Sequence, residues 1–195
     1  MWVIHFVGAP QSGKSVIARK FFDLLHPFVS SIGSPIRIME MGQMVQDWYS
    51  KIGKDPKADM MLYKEEAPKE LLNIYHNMLS PVAVNIVVGV REQCFLDLRE
   101  YRQWGEYLKQ NPSDRVWQLV VHVMASKAER EKRAHIRLSS SFASMDEAEQ
   151  QRLSFLDSVW QLKVNNETAR DLLEAPLTVL YYMLTHTALS QEAAR

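Results

Sequence analysis

The sequence predicts an α/β protein in which a parallel sheet of five strands lies between two layers of helices. Short apolar runs alternate with longer helix-like runs along the 195 residues. Strands that are separated by helices pair in parallel through right-handed crossovers, which place helices on both faces of the sheet. One run, VAVNIVVGV, is rich in β-branched residues without interruption, as expected of a strand buried on both faces. The predicted fold is therefore a three-layer α/β/α sandwich.

The first half of the sequence predicts three strands and the helices that connect them. The run WVIHFVG predicts a first strand, and it is followed by a helix from Lys14 to about Leu25. The run SPIRIMEMG predicts a second strand closed by Gly42, and QMVQDWYSKIG predicts a helix. A longer helical run contains Pro68, where we expect a kink or a break because proline has no backbone donor. The run VAVNIVVGV is the third strand.

The second half predicts two further strands. QCFLDLREYRQWGEYLKQ predicts a helix, and RVWQLVVHVMA predicts the fourth strand. SKAEREKRAHIRL predicts a charged helix with Ser126 as its N-cap, and DEAEQQRLSFLDS a further helical run. VWQLKVNN predicts the fifth strand, and the remaining residues predict a helix interrupted near Pro176. We expect residues 1–195 to form one domain, in which residues from about 126 to 150 make a lid-like segment.

The composition limits the classes of protein. Lys and Arg together number 23, as do Asp and Glu, and this balance argues against a dedicated nucleic-acid binder. Cys94 is the only cysteine, which excludes an internal disulfide, and we expect it to be a small buried residue. No apolar run reaches the roughly 18 residues of a membrane span, and no signal peptide is recognisable. We therefore expect a cytoplasmic protein, or one of the host cytoplasm if it is viral, without a membrane partner.

The stretch GAPQSGKS, from Gly8 to Ser15, matches the pattern G-x-x-x-x-G-K-[ST] between a predicted strand and a predicted helix. The glycines allow the backbone to approach a phosphate closely, and the start of the helix adds a positive dipole. Lys14 offers a charge to the β- and γ-phosphates, and Ser15 offers a hydroxyl to Mg²⁺. The motif therefore predicts a site for MgATP. The residues predicted to contact the nucleotide are Gly8, Ala9, Pro10, Gln11, Ser12, Gly13, Lys14, Ser15 and Val16.

Among small proteins with this loop, the sequence favours a kinase. A GTPase would need an N-K-x-D-like motif after a later strand, and neither VHVMASKAE nor KVNNETA contains one. A kinase needs cations over the transferred group. Arg130, Arg133 and Arg137 are spaced i, i+3 and i+7, so they share one helix face that can neutralise charge in the transition state. The alternative is a solvated helix with internal ion pairs.

The acceptor side of the site is predicted at the ends of the second and third strands. Arg91 follows the third strand at the edge where open α/β sheets bind ligands, and its guanidinium suits a phosphate. Glu40 and Asp47 follow the second strand, where a carboxylate could take the proton of a hydroxyl acceptor. The alternatives are a salt-bridged surface arginine and two surface or capping carboxylates.

The order of these features resembles the nucleoside monophosphate kinase superfamily. The GAPQSGKS loop, GVR after the third strand, the arginine helix after the fourth strand and VNN in the fifth strand carry the resemblance. Phage-type deoxynucleoside monophosphate kinases, which are thymidylate-kinase-like, and phosphomevalonate kinases are the most similar in style. The resemblance implies the P-loop NTPase fold, with ATP and Mg²⁺ as cofactors. It also implies roles for particular residues: MgATP binding by Lys14 and Ser15, the acceptor at Arg91, the lid at Arg130, Arg133 and Arg137, and the adenine near Asn165, Asn166 and Thr168.

The chain departs from this superfamily at the end of the third strand. Many members have an aspartate there that helps to hold Mg²⁺, whereas this chain has Val88 and Gly89. Glu40 and Glu92 are the nearest carboxylates that could replace that aspartate. The second protein contact of the metal is therefore open.

The sequence leaves two acceptors open, each of which is the substrate of one of two related kinase families. A free deoxynucleoside monophosphate is the first expectation, and 5-hydroxymethyluracil in DNA, the acceptor of certain phage kinases, is the alternative. A non-catalytic ATP-binding module is the third reading, and a homodimer is compatible with each. Five aromatic residues would supply either stacking surface for a base or part of the core: Trp48, Tyr49, Trp104, Tyr107 and Trp117.

Overall fold

The structure, a computed structural model, contains one sheet of five parallel strands. It describes residues 2–31, 33–53, 68–96, 98, 105–106, 109–110, 116–136, 153–155 and 159–192, with side chains except at 68, 136, 155 and 186–192. The strands are β1 (Trp2–Val7), β2 (Ile36–Glu40), β3 (Val84–Val88), β4 (Trp117–Met124) and β5 (Leu162–Asn165). Their order across the sheet is β2-β3-β1-β4-β5, and each neighbouring pair is parallel. The predicted five-stranded parallel sheet is confirmed.

Helices cover both faces of this sheet, as the three-layer prediction requires. In the part of the chain that the structure describes, the longer helices are α1 (Lys14–Ser31), α2 (Met41–Lys51), α3 (Pro68–Met78), α4 (Lys127–Ile136) and α5 (Asp171–Glu192). The layer formed by α1 and α5 packs with one apolar cluster, which includes Phe6, Phe21 and Val179. The layer formed by α2 and α3 packs with a second cluster. Because both faces are covered, every residue of β3 is buried.

The central strand β1 alternates between these two clusters. Phe6 faces α1, where its ring centroid lies 5.7 Å from that of Phe21. His5 points to the other face, where its Nε2 lies 2.8 Å from the hydroxyl of Tyr75 on α3. Complete burial lowers the pKa of His5 to about 3, because a charged imidazole would lose its hydration there. His5 is therefore a neutral member of the core.

The strand order places a crevice at the carboxyl ends of β1 and β3. Strands β2 and β3 lie on one side of β1 in the sheet, and strands β4 and β5 lie on the other side. In open α/β sheets this switch point is where ligands bind. Gly8 follows β1 there, and Gly89 follows β3, with its amide donating to the carbonyl oxygen of Phe6 at 2.9 Å.

Several predicted boundaries differ from the structure. The helix predicted to end near Leu25 continues to Ser31 through Pro27, because its buried stripe extends to Val29. Gly42 does not close the second strand, since β2 ends at Glu40 and Gly42 lies in the first turn of α2. A glycine near the end of a helix costs little stability. The buried apolar residues along α2 stabilise the helix by packing against the core.

The prolines have different outcomes. Pro68 is the first residue of α3, a position where its missing donor has no cost, and the helical run predicted before it lies outside the described residues. The predicted interruption near Pro176 is wrong, because α5 is continuous through it. Pro176 lies near the start of α5, so few backbone bonds are lost. Buried Ala175, Val179 and Met183 then hold the helix on the sheet.

The run after β3 also differs from the prediction. Gln93–Leu96 form a short 3-10 helix rather than the start of an α-helix. Cys94 is exposed in this turn, so the prediction of a buried cysteine is wrong. The turn buries its next two residues instead, and this leaves Cys94 on the outer side. Leu153–Phe155 form a second 3-10 turn, and most of the helical run predicted from 146 to 158 lies outside the described residues.

Candidate active site

The loop between β1 and α1 requires glycine at both of its ends. Gly8 has φ 144°, and a Cβ built on it would overlap the carbonyl oxygen of Val123 in β4. Gly13 has φ 86°, and a Cβ there would overlap Nδ2 of Asn166. Between them Gln11 has φ 60°, a left-handed conformation that a residue other than glycine adopts at a cost. The loop is therefore wound tightly against β4 and the segment after β5.

The loop ends at the amino terminus of α1, which begins at Lys14. The amides of Val16 and Ile17 donate to the carbonyl oxygen of Gly13, so the helical bonding starts directly at the loop. The first N–H groups of a helix have no partner within the helix, and they point toward the loop with the positive end of the dipole. The arrangement is suited to an anion such as a phosphate group.

Two side chains at the start of α1 reach groups on other parts of the site. Lys14 Nζ donates to the carbonyl oxygen of Ala9 at 2.9 Å, across the loop. The hydroxyl of Ser15 donates to Oε2 of Glu40 at 3.5 Å, and Arg19 Nη2 donates to Oε1 of the same carboxylate at 2.7 Å. Ser15 and Arg19 are one helical turn apart, so both face the end of β2.

A cleft of about 150 Å³ opens beside the loop. It brings together six of the sequence-predicted residues: Gly8, Pro10, Lys14, Ser15, Glu40 and Arg91. Val88 and Gly89 form the part of its wall at the end of β3. The cleft therefore combines the backbone of the loop, two cationic side chains and one carboxylate.

Asp47 and Glu92 are not part of this cleft. Asp47 lines a second cleft of about 350 Å³ between β2, α2 and α3, and its Oδ1 accepts a bond from Gln43 Nε2 at 2.8 Å. Glu40 lines both clefts. Of the candidate carboxylates, only Glu40 lies beside Ser15 and the loop.

Of the arginines predicted to share one face of α4, Arg133 contacts the loop and the segment after β5. Arg130 is 3% exposed, and its Nε donates to the carbonyl oxygen of Ala125. Arg133 donates from Nη1 to the carbonyl oxygen of Gln11 at 3.1 Å, so it touches the outside of the loop. Arg137 and residues to 150 of the predicted lid lie outside the described residues. Ser126 Oγ accepts from the amide of Glu129 at 3.3 Å, which confirms the predicted N-cap.

The segment after β5 also contacts the loop. Asn166 is 2% exposed, and its Nδ2 donates to the carbonyl oxygen of Ser12 at 2.7 Å. Its backbone amide donates to the carbonyl oxygen of Met124 at 2.8 Å, so β4 fixes its position. Thr168 has a local role, since its Oγ1 accepts from the amide of Asp171 at the start of α5. Of the three residues predicted near the adenine, Asn166 is the one that touches the loop.

The aromatic candidates are mostly packed. Trp48 and Tyr49 are buried, with ring centroids 5.0 Å apart in an edge-to-face arrangement. Trp117 stacks on Trp2 with centroids 5.6 Å apart at the amino-terminal ends of their strands. Trp104 and Tyr107 lie outside the described residues. Trp48 and Tyr49 are therefore core residues, and Trp117 lies at the sheet end opposite the loop.

Arg19 is a site residue that the sequence reasoning missed. Its signal was its spacing of four residues from Ser15, which places both on one face of α1. No local pattern indicated that Glu40, 21 residues further along the chain, would meet them.

Within the described part of the chain, no group of three or more His, Cys, Asp or Glu side chains could hold a metal ion. Mg²⁺ usually binds only one or two protein oxygens, and phosphates and water supply its other ligands. The Ser15 hydroxyl and the Glu40 carboxylate are such oxygens and lie next to the loop. They fit Mg²⁺ chemistry.

Among the same described residues, no helix is both long and apolar enough to cross a membrane.

No protein-family model matches this sequence, and no curated protein is similar enough to count as a relative. Solved structures do share its fold. Shikimate kinase from Acinetobacter baumannii in complex with shikimate is 16% identical with a TM-score of 0.54, covering 94% of this chain and 93% of that chain. A gluconokinase from Sinorhizobium meliloti 1021 is 17% identical with a TM-score of 0.50, covering 95% and 96%.

A third similar structure is Chaetomium thermophilum Kti12 in complex with ADP-AlF3. It is 12% identical with a TM-score of 0.51, covering 91% of this chain and 97% of that chain. Identities this low show the fold alone. The chain therefore has the α/β/α fold of P-loop kinases.

Proposed function

We propose that this protein is an ATP-dependent phosphotransferase that moves the γ-phosphoryl group to a nucleotide-type acceptor. The proposal rests on one observation: the glycine-bounded loop at the start of α1 opens into the cleft that also contains Glu40 and Arg91. A phosphate on the loop and an acceptor at the end of β3 would share this space. The fold shared with shikimate kinase and gluconokinase supports the proposal.

Each residue of the cleft has a role that its chemistry allows. The loop amides and Lys14 would bind the β- and γ-phosphates and neutralise the charge that spreads during transfer. Ser15 and Glu40 would hold Mg²⁺, which would supply further positive charge to neutralise the phosphates. Arg130, Arg133 and Arg137 stay predicted as lid residues.

A free deoxynucleoside monophosphate is the first proposed acceptor. Its phosphate is already an anionic nucleophile, so the site needs a cation to orient it rather than a base. Arg91 lines the cleft from the end of β3, and a guanidinium can bind a phosphate through two parallel hydrogen bonds. This would place the acceptor phosphate opposite the loop.

A hydroxyl acceptor, such as 5-hydroxymethyluracil in DNA, is the second candidate. The observation that favours it is the carboxylate of Glu40 beside Ser15 in the same cleft. Arg19 holds one oxygen of that carboxylate at 2.7 Å, which leaves Oε2 on the side of Ser15. For this second candidate, Glu40 would accept the proton of the attacking hydroxyl instead of binding Mg²⁺, which Ser15 would then hold.

The test is transfer of label from γ-labelled ATP to a panel of acceptors. The panel contains deoxynucleoside monophosphates, deoxynucleosides and duplex DNA with 5-hydroxymethyluracil. Shikimate and gluconate are included because a shikimate kinase and a gluconokinase share the fold. We expect transfer to a monophosphate with little effect of added salt. Transfer only to modified DNA, falling steeply with salt, would support the second candidate because phosphate contacts are salt-sensitive. Binding of ATP without any transfer would favour a non-catalytic ATP-binding module.

A further inference from the structure

The outer side of the phosphate-binding loop is held by two side chains from distant parts of the chain. Arg133 of α4 donates from Nη1 to the carbonyl oxygen of Gln11, at 3.1 Å. Asn166, after β5, donates from Nδ2 to the carbonyl oxygen of Ser12 at 2.7 Å. Arg133 Nη2 also donates to the carbonyl oxygen of Asn166 at 2.6 Å. These three bonds join the loop, α4 and the segment after β5.

Holding a carbonyl outward fixes the direction of the N–H in the same peptide plane. The two groups of a planar trans peptide point in opposite directions, so the Ser12 carbonyl and the Gly13 N–H are coupled. With the Ser12 carbonyl bound to Asn166, the Gly13 N–H is turned toward the opposite, inner side. The Gln11 carbonyl is held by Arg133, while the Ser12 N–H of the same peptide plane donates to the carbonyl oxygen of Ala9 at 3.2 Å and Gln11 itself has φ 60°. Without outside contacts this left-handed residue would favour relaxation of the loop.

Each of the three guanidinium nitrogens of Arg133 donates a hydrogen bond. Its third nitrogen, Nε, donates to Oε1 of Glu129 at 3.0 Å within α4. The side chain is 23% exposed, so water competes only partly for these bonds. Asn166 is still more buried, at 2%. Both residues therefore have the bonding and burial of residues that hold another element in place.

We infer that Arg133 and Asn166 are positioning residues, which hold the loop in its phosphate-binding form and link the position of α4 to it. The inference rests on the proposed function in one respect, that the loop binds the phosphates of a nucleotide. It differs from the prediction that Arg133 acts directly on the transferred group. The two roles give different kinetic results. A positioning residue of the loop affects nucleotide affinity, whereas a transition-state residue affects kcat.

The experiment compares binding of MgADP and of inorganic triphosphate to the wild type and to Arg133→Ala and Asn166→Ala, by calorimetry. We expect each variant to weaken both affinities by about 10- to 100-fold, with a smaller change in kcat at saturating ATP. Because Arg133 also bonds Asn166, the double variant should lose less than the sum of the two losses in binding free energy. Lys132→Ala is the matched control, since Lys132 is on the same helix but 71% exposed.

Arg133→Lys keeps the test decisive if the alanine variant does not fold. A lysine retains the charge but cannot reach three acceptors, so its affinity for MgADP should lie between those of the wild type and Asn166→Ala. Wild-type affinity in Arg133→Lys and Asn166→Ala would overturn the inference. Wild-type affinity with a strongly lowered kcat would instead assign Arg133 to the transition state. A wild-type protein that binds neither MgADP nor triphosphate would overturn the proposed function, and the inference with it.

Discussion

Replacing Gly13 by alanine tests how closely the loop and Asn166 must fit. Gly13 has φ 86°, and a Cβ there would overlap Nδ2 of Asn166. A left-handed conformation costs a residue with a Cβ about 1–2 kcal/mol. Displacing Asn166 would also break its bond to the carbonyl of Ser12, worth about 0.5–1.5 kcal/mol. Together these amount to about 1.5–3.5 kcal/mol, or roughly a 10- to 400-fold loss of MgADP affinity if the loop must be native to bind.

Gly33 offers a matched control for this substitution. Its φ is 71°, and a Cβ there would have no heavy atom within 4 Å. Gly33→Ala should therefore lose about 1–2 kcal/mol in the free energy of unfolding, measured with urea, and keep its MgADP affinity. Calorimetric titration of both variants with MgADP separates the two effects. The reasoning would be refuted if Gly13→Ala bound MgADP as tightly as the wild type. It would also be refuted if Gly13→Ala and Gly33→Ala lost the same amount of MgADP affinity.

Three further predictions address the acceptor and the core. Arg91→Ala should raise KM for a monophosphate acceptor about 30- to 150-fold in steady-state assays and leave KM for ATP unchanged; an unchanged acceptor KM would remove Arg91 from that role. Glu40→Gln should slow transfer to a hydroxyl acceptor at least about 100-fold in single-turnover assays. Asp47→Asn is the control, because Asp47 lies outside the cleft. If the two variants transferred the phosphoryl group at the same rate, Glu40 would be excluded as the base. Since the folded pKa of His5 is about 3 and its unfolded pKa is 6.5, the unfolded chain takes up a proton that the folded chain cannot. Below pH 6.5 the free energy of unfolding should fall by up to about 1.4 kcal/mol per pH unit, and urea titrations of His5→Gln should show a shallower fall; the same slope in both proteins would contradict the assigned burial effect.

The sheet and the loop could be predicted because their signals are local. The β-branched run of β3 is buried along its whole length, as its pattern indicates. The glycines of the loop are needed where the motif places them, since a Cβ at Gly8 or Gly13 would overlap neighbouring atoms. The helix ends were less predictable. Pro176 carries a strong breaking signal, yet α5 continues because its buried residues pack on the sheet.

The contacts within the site could not be predicted because they join residues far apart in sequence. Arg133 and Gln11 are separated by 122 residues, and Asn166 and Ser12 by 154. Helical spacing predicted that the arginines of α4 share a face, but it contains no information about which atoms that face meets. The pairing of Glu40 with Arg19 likewise depends on β2 ending beside α1. Only the assembled sheet supplies these positions.

Transfer of label from γ-labelled ATP by the wild type and by Lys14→Ala, with the acceptor panel present, tests most directly whether this loop belongs to a phosphotransferase. Lys14 lines the cleft and donates across the loop to the carbonyl oxygen of Ala9, and its charge would neutralise the transferred phosphates. We expect the wild type to label at least one acceptor. Lys14→Ala should lose transfer by about 100-fold or more while its circular dichroism stays that of the wild type. Near-normal turnover in Lys14→Ala, or no transfer by the wild type to any acceptor, would contradict the proposed function.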